Sequence, residues 1–195
     1  MTPTPAPQTT GLRAWPLLLA QQVGWFLCVL GAGSIWGRVG VAYMVLLVVV
    51  HIACADDRRR ELRVVVLSSL LGIAGDSALV VTGLMQFSPT LQWGPFPTPL
   101  WFWALWLGFG ATLSSTWMPL FRRSRGTVAL VGAVIGPAAY LGGTHLLDMA
   151  LGPPLGVALV AVGAWWALAM VLWQAVVVPR QRNADVISSS RSHSR

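Results

Sequence analysis

Residues 58–85 read RRRELRVVVLSSLLGIAGDSALVVTGLM. Arg58, Arg59, Arg60 and Arg63 crowd the start, and an apolar run fills the rest. From Val64 onward the only acid is Asp76. A helix needs about 20 apolar residues to cross a bilayer core. This run meets that length, and its positive charge is gathered at one end, as in a spanning helix held by a cytoplasmic loop.

The rest of the chain repeats the pattern. Apolar segments cover 15–31, 36–55, 62–85, 100–120, 127–147 and 155–178. The 195 residues are 55% hydrophobic and only 10% charged, with a mean hydropathy of +0.67. Soluble domains carry about 25% charged residues, and disorder needs low hydrophobicity with high charge. Both are excluded for most of the length. The expected fold is all-α: a polytopic bundle of six transmembrane helices over 13–179. A disordered Thr/Pro-rich tail over 1–12 precedes it, and a polar cytoplasmic tail over 180–195 follows.

Charge placement predicts the orientation. All 13 basic residues are arginine. Arg58, Arg59 and Arg60 lie between the second and third segments, and Arg63 stands at the start of the third. Arg122, Arg123 and Arg125 lie between the fourth and fifth. Arg13 precedes the first segment, and Arg180, Arg182, Arg191 and Arg195 follow the sixth. Only Arg38 falls on the other side. The positive-inside rule then places both termini in the cytoplasm. Arginine without lysine fits a GC-rich bacterial genome, so the membrane is expected to be a bacterial inner membrane. The net charge of +7 belongs to short loops and tails and implies no nucleic-acid partner. Arg58, Arg59, Arg60, Arg122 and Arg123 are candidates for contact with anionic lipid headgroups. The first segment also has the outline of a signal peptide, although Gln21 and Gln22 interrupt its apolar stretch.

Cys28 and Cys54 fall at depths more than about 15 Å apart at 1.5 Å rise per residue, too far for a disulfide. No metal-ligand spacing is present, and no cofactor or metal is expected. Among 11 tryptophans, Trp15, Trp36, Trp93, Trp101, Trp117 and Trp173 fall near segment ends and read as interfacial anchors. Trp25, Trp106 and Trp165 lie deeper and read as packing residues.

Ionisable groups inside a bilayer point to function, because each costs about 2.5–3.5 kcal/mol to insert. Asp76 is the candidate. Ser69, Gly72, Asp76 and Gly83 form one small and polar stripe, expected to face other helices. The fifth segment carries Gly132 and Gly136 in a GxxxG spacing, then Pro137 and Tyr140. GxxxG permits close helix packing. Tyr140 sits one turn beyond Gly136 at a depth like that of Asp76, so the two can hydrogen-bond. Asp76, Tyr140, Gly72 and Gly136 are the expected ligand-binding set. Gln21, Gln22, His51, Thr112, Ser114, Ser115 and Thr116 make a second polar group toward the cytoplasmic side, with Gln22, His51, Thr112 and Ser115 its main members. His51 reads as a satisfied or partly wet histidine, and its depth separates it from Asp76 by well over about 10 Å. His145 and Asp148 read as a solvated helix end. Asp56, Asp57 and Glu61 read as a mixed-charge cytoplasmic loop. HExxH, GxSxG and P-loop motifs are absent, and the halves show no repeat of the inverted-transporter kind.

The ordered set Gln22-Val23-Gly24-Trp25-Phe26-Leu27-Cys28-Val29, Gly72-Ile73-Ala74-Gly75-Asp76-Ser77, Gly83 and Phe87 resembles a bacterial inner-membrane family, domain of unknown function 2878. The resemblance continues through Pro99-Leu100-Trp101, Leu105-Trp106, Phe109, Thr112-Leu113 and Trp117, and ends with Gly132, Gly136-Pro137, Tyr140 and Gly143. The chain departs at Leu147-Asp148, where a small residue pair is expected. The resemblance implies a small multi-helix membrane protein without an established activity, and suggests a lipid-linked process without assigning a reaction.

Taken together, these residues favour a non-enzymatic membrane protein. It would bind or move a small molecule or lipid, or serve as the membrane partner of soluble lipid-modifying enzymes. An integral-membrane lipid-modifying enzyme using Asp76 and Tyr140 is the alternative. A structural scaffold is the second.

Overall fold

The computed structural model describes residues 14–147 and 149–178. The two tails, the arginines in them and Asp148 lie outside the described residues. Seven α-helices run in order among the described residues: α1 (Ala14–Leu30), α2 (Ile35–Ala53), α3 (Arg58–Val81), α4 (Leu100–Leu113), α5 (Met118–Phe121), α6 (Arg125–Leu146) and α7 (Leu155–Val177). Helices α2, α3, α6 and α7 are long and apolar enough to cross a membrane. Helices α1 and α4 are apolar but shorter, at 17 and 14 residues.

Local chemistry sets several boundaries. Ser34, Asp57 and Ser124 each accept a backbone N–H at the start of α2, α3 and α6, satisfying donors a helix leaves open. The third apolar segment stops at Val81, four residues short of its expected end. Gly83 takes a φ of +75°, a backbone state that costs glycine little. From there Gly83 N–H reaches Val80 O and Leu84 N–H reaches Leu79 O, a paired closure of the helix terminus. Gly83 therefore caps α3 and does not extend the polar stripe. The fourth segment also breaks early. Ser115 donates its hydroxyl back to Thr112 O, a competing local hydrogen bond, and Pro119 then opens the short α5.

The connectors hold one element absent from the sequence reading. Strands β1 (Met85–Phe87) and β2 (Met149–Leu151) pair antiparallel, with Met85 opposite Leu151 and Phe87 opposite Met149. This ribbon ties the exit of α3 to the entry of α7. Met85 and Met149 turn inward and are buried.

Helices α1 and α2 form one hairpin, and α6 and α7 form another. Helix α4 packs on α1, α2 and α3, and α3 also packs on α7. One apolar core joins α1, α2 and α4. A larger one joins α3, α4, α6 and α7. Trp101 and Trp173 are fully buried in these two cores. They donate their indole N–H groups to Leu91 O and Ser68 O, so they are packing residues and not interfacial anchors. Trp15 and Trp36 are largely exposed. Large apolar side chains such as Leu19, Leu46, Leu70, Val134 and Val160 also face outward. Soluble monomers rarely expose so much apolar surface.

Cross-links gather one end of the bundle. Arg60 Nη2 donates to Val177 O at the end of α7 at 2.9 Å. Thr116 Oγ1 donates to Ala14 O at the start of α1 at 3.2 Å. Gln174 Nε2 donates to Phe121 O at 2.7 Å and Arg123 O at 3.0 Å. The first residue of α1 and the last of α7 thus sit at the same end as the arginine-bearing loops.

Candidate functional site

Asp76 opens the last quarter of α3 and is fully buried. Gly72, one turn earlier, leaves bare backbone on the same face. The indole of Trp106, from α4, occupies the space where a side chain at Gly72 would stand. From that seat Trp106 Nε1 donates to Asp76 Oδ2 at 2.6 Å. On the other side the Tyr140 hydroxyl, from α6, donates to Asp76 Oδ1. Both carboxylate oxygens are thereby satisfied, as a buried carboxyl requires.

Tyr140 is placed by α6–α7 packing. Gly132 and Gly136 lie under Trp166 of α7, whose backbone and ring fill the space a Cβ would need. Gly163 of α7 approaches Ala133 O in return. The GxxxG spacing therefore serves a close helix contact. Phe109, Trp166 and Trp173 gather edge-on or tilted around the Trp106 ring, with centroids 5.1–5.9 Å apart within the group.

Beside this network opens a cleft of about 140 Å³. Gln21, Trp25 and Val29 of α1 line it, as do Trp106 of α4 and Ala139 and Tyr140 of α6. The main packing partners of α1 are α2 and α4, and that of α6 is α7. The cleft is thus the space where the two hairpins approach without interlocking. Trp106 and Tyr140 each turn an apolar ring toward it while their polar atoms point to Asp76. Gly72 and Gly136 act one layer behind, by seating Trp106 and Trp166.

The second polar group separates into three parts. His51 Nε2 lies 3.4 Å from Glu61 Oε2, and Ser114 Oγ donates to the same oxygen at 2.6 Å. All three are buried, and Arg60 Nη1 stands 3.5 Å from Glu61 Oε1. This node joins α2, α3 and the turn after α4. Thr112 instead donates to Phe109 O, and Ser115 to Thr112 O, so both serve their own backbone. Gln22 is exposed, while Gln21 beside it is buried at the cleft. Glu61 and Asp76 stand 15 residues apart on α3, which is about 22 Å. The His51 node and the Asp76 network are therefore separate. His145 is exposed, and its expected neighbour Asp148 lies outside the described residues.

Sequence reasoning passed over two residues. Beside the arginines, Glu61 reads in sequence as part of a mixed-charge cytoplasmic loop, whereas it is buried in α3. Its position one turn inside α3, ten residues after His51, was the available signal. Trp106 was read as packing alone. Its partner role follows from Gly72, whose missing side chain admits the ring.

Cys28 and Cys54 are both free thiols. Among the described residues, no three His, Cys, Asp or Glu side chains converge on a point that could hold a metal ion. No curated protein and no solved structure matches the chain. The model of a protein of unknown function (DUF2878) matches residues 15–172, most of the chain, and the protein belongs to that family.

Proposed function

We propose that the protein is a six-span bacterial inner-membrane protein, with both termini cytoplasmic, that takes a lipid-like small molecule from the bilayer into the cleft among α1, α4 and α6. The cleft carries this reading. Its walls are apolar and aromatic, as ligand pockets usually are, and the surrounding surface is apolar too. Helix α4 spans about 21 Å at 1.5 Å per residue, and the proposed sixth crossing needs the turn after it as well. The arginines at the starts of α3 and α6 support a cytoplasmic assignment for that end, where they would meet anionic headgroups.

The reading is of binding or transfer and not of catalysis. Asp76 has no accessible face, and its partners are a tyrosine and a tryptophan. The histidine nearest in role, His51, is engaged at the other node. Asp76 acts here as the fixed point that orients two walls of the cleft.

Extraction of lipids retained by the protein after mild detergent purification tests the proposal. Wild type is expected to carry a species enriched over the bulk membrane extract. Ala139→Phe, which adds a ring at an exposed cleft position, is expected to lose it at equal protein yield. The same lipid profile for both proteins and the bulk membrane would contradict the reading.

A further inference from the structure

We propose that the cleft selects an uncharged amphiphile: an apolar chain or ring system bearing one hydroxyl or carbonyl group, which Gln21 holds. This rests on the reading of the cleft as a lipid-binding site and names the ligand class. Gln21 is only 6% exposed, and its side chain has no hydrogen-bond partner among the described residues. An amide carries two donor hydrogens and an acceptor oxygen. An amide that opens on an apolar cleft without a protein partner gains when a ligand oxygen meets it, so a native ligand is expected to complete it.

Among the other polar atoms at the wall, Trp166 Nε1 is also buried without a partner, but an indole N–H only donates. The Trp106 N–H and the Tyr140 O–H are both committed to Asp76. No Arg, His, Asp or Glu lines the cleft among the described residues. A charged headgroup would enter without a counter-charge, which an apolar site disfavours strongly. Gln21 can both donate to and accept from a neutral oxygen. Its neighbour Gln22 points outward and supplies an internal control.

The test uses the full chain in lipid nanodiscs and reads tryptophan fluorescence, since Trp25, Trp106 and Trp166 line the cleft. Three brominated probes are titrated: bromohexadecanol, bromohexadecane and bromohexadecanoate at pH 9. Saturable quenching is expected to be tightest for the alcohol. Gln21→Leu is expected to weaken the alcohol about fivefold, the effect of one lost neutral hydrogen bond, and to leave the alkane unchanged. Gln22→Leu is expected to change neither. If Gln21→Leu unfolds, Gln21→Met replaces it, and the wild-type preference for alcohol over alkane stands as its own test.

Equal binding of alcohol and alkane by wild type would overturn the role of Gln21 and leave the lipid cleft standing. Binding of hexadecanoate as tight as that of the alcohol would overturn the uncharged class. Absence of saturable quenching by all three probes would overturn the cleft reading as well.

Discussion

Trp106 donates its indole N–H to Asp76 at 2.6 Å from a ring laid directly on the bare backbone of Gly72. One residue supplies the acceptor, another one turn earlier supplies the room, and α4 is locked to α3 as a result. Tyr140 completes the carboxyl from α6. Three helices thus meet at one buried side chain beside the cleft.

Removing the acceptor should loosen all three. Asp76→Ala leaves the Trp106 and Tyr140 donors buried without a partner, at a cost of roughly 1–3 kcal/mol. Asp76→Asn keeps an acceptor oxygen and should cost less, with normal protein levels in the membrane. Unfolding in mixed micelles by SDS titration reads both. Wild-type stability of Asp76→Ala would contradict a joining role.

Gly72→Ala should be destabilising by about 1–3 kcal/mol, because a methyl group there meets the Trp106 ring and must displace it. Gly142 has nothing near its added Cβ. Gly142→Ala should be neutral or stabilising by up to about 1 kcal/mol through helix propensity. The same SDS titration compares the pair, and an equal response of the two would remove the steric account.

The buried node at Glu61 makes a separate prediction. Glu61→Ala orphans His51 and Ser114 together, so a loss of about 1–3 kcal/mol is expected. Arg59→Ala, at an exposed neighbour, should fall within about 0.5 kcal/mol of wild type. Thermal unfolding in detergent distinguishes them. A silent Glu61→Ala would return Glu61 to the solvated class its sequence context suggests.

The orientation has a direct chemical readout. Cys54 is exposed beside the arginines that open α3, while Cys28 is buried. A membrane-impermeant maleimide should leave Cys54 unlabelled in spheroplasts and label it after permeabilisation. Thr90→Cys, at an exposed position in the connector between α3 and α4, should label in intact spheroplasts. The opposite pattern would reverse the proposed topology.

Much of this architecture was legible because bilayer-scale helices leave long apolar runs bounded by arginine, glycine and proline. The Asp76–Tyr140 contact was reachable from depth alone, since position along a helix fixes height. What depth cannot give is rotation. It could not separate Gln21 from Gln22, which are adjacent in sequence and face opposite environments. Nor could it seat Trp101 and Trp173, whose places near segment ends resemble those of exposed anchors. The β1–β2 ribbon joins three-residue strands some 60 positions apart, too short and too distant to leave a periodic signal. Glu61 was hidden by its neighbours: charge next to charge reads as solvent until the facing helix is known.

The central claim is that a bilayer-derived molecule occupies the space between α1 and α6. Photocrosslinking in native membranes with a diazirine-bearing long-chain alcohol, followed by peptide mass spectrometry, tests it most directly. The account predicts adducts concentrated on the cleft faces, at Trp25, Val29, Ala139 and Gly143. These adducts should be competed by excess unlabelled alcohol and lost in Ala139→Phe. Adducts spread evenly over the outward-facing Leu19, Leu46, Val134 and Val160, with none competed, would contradict it.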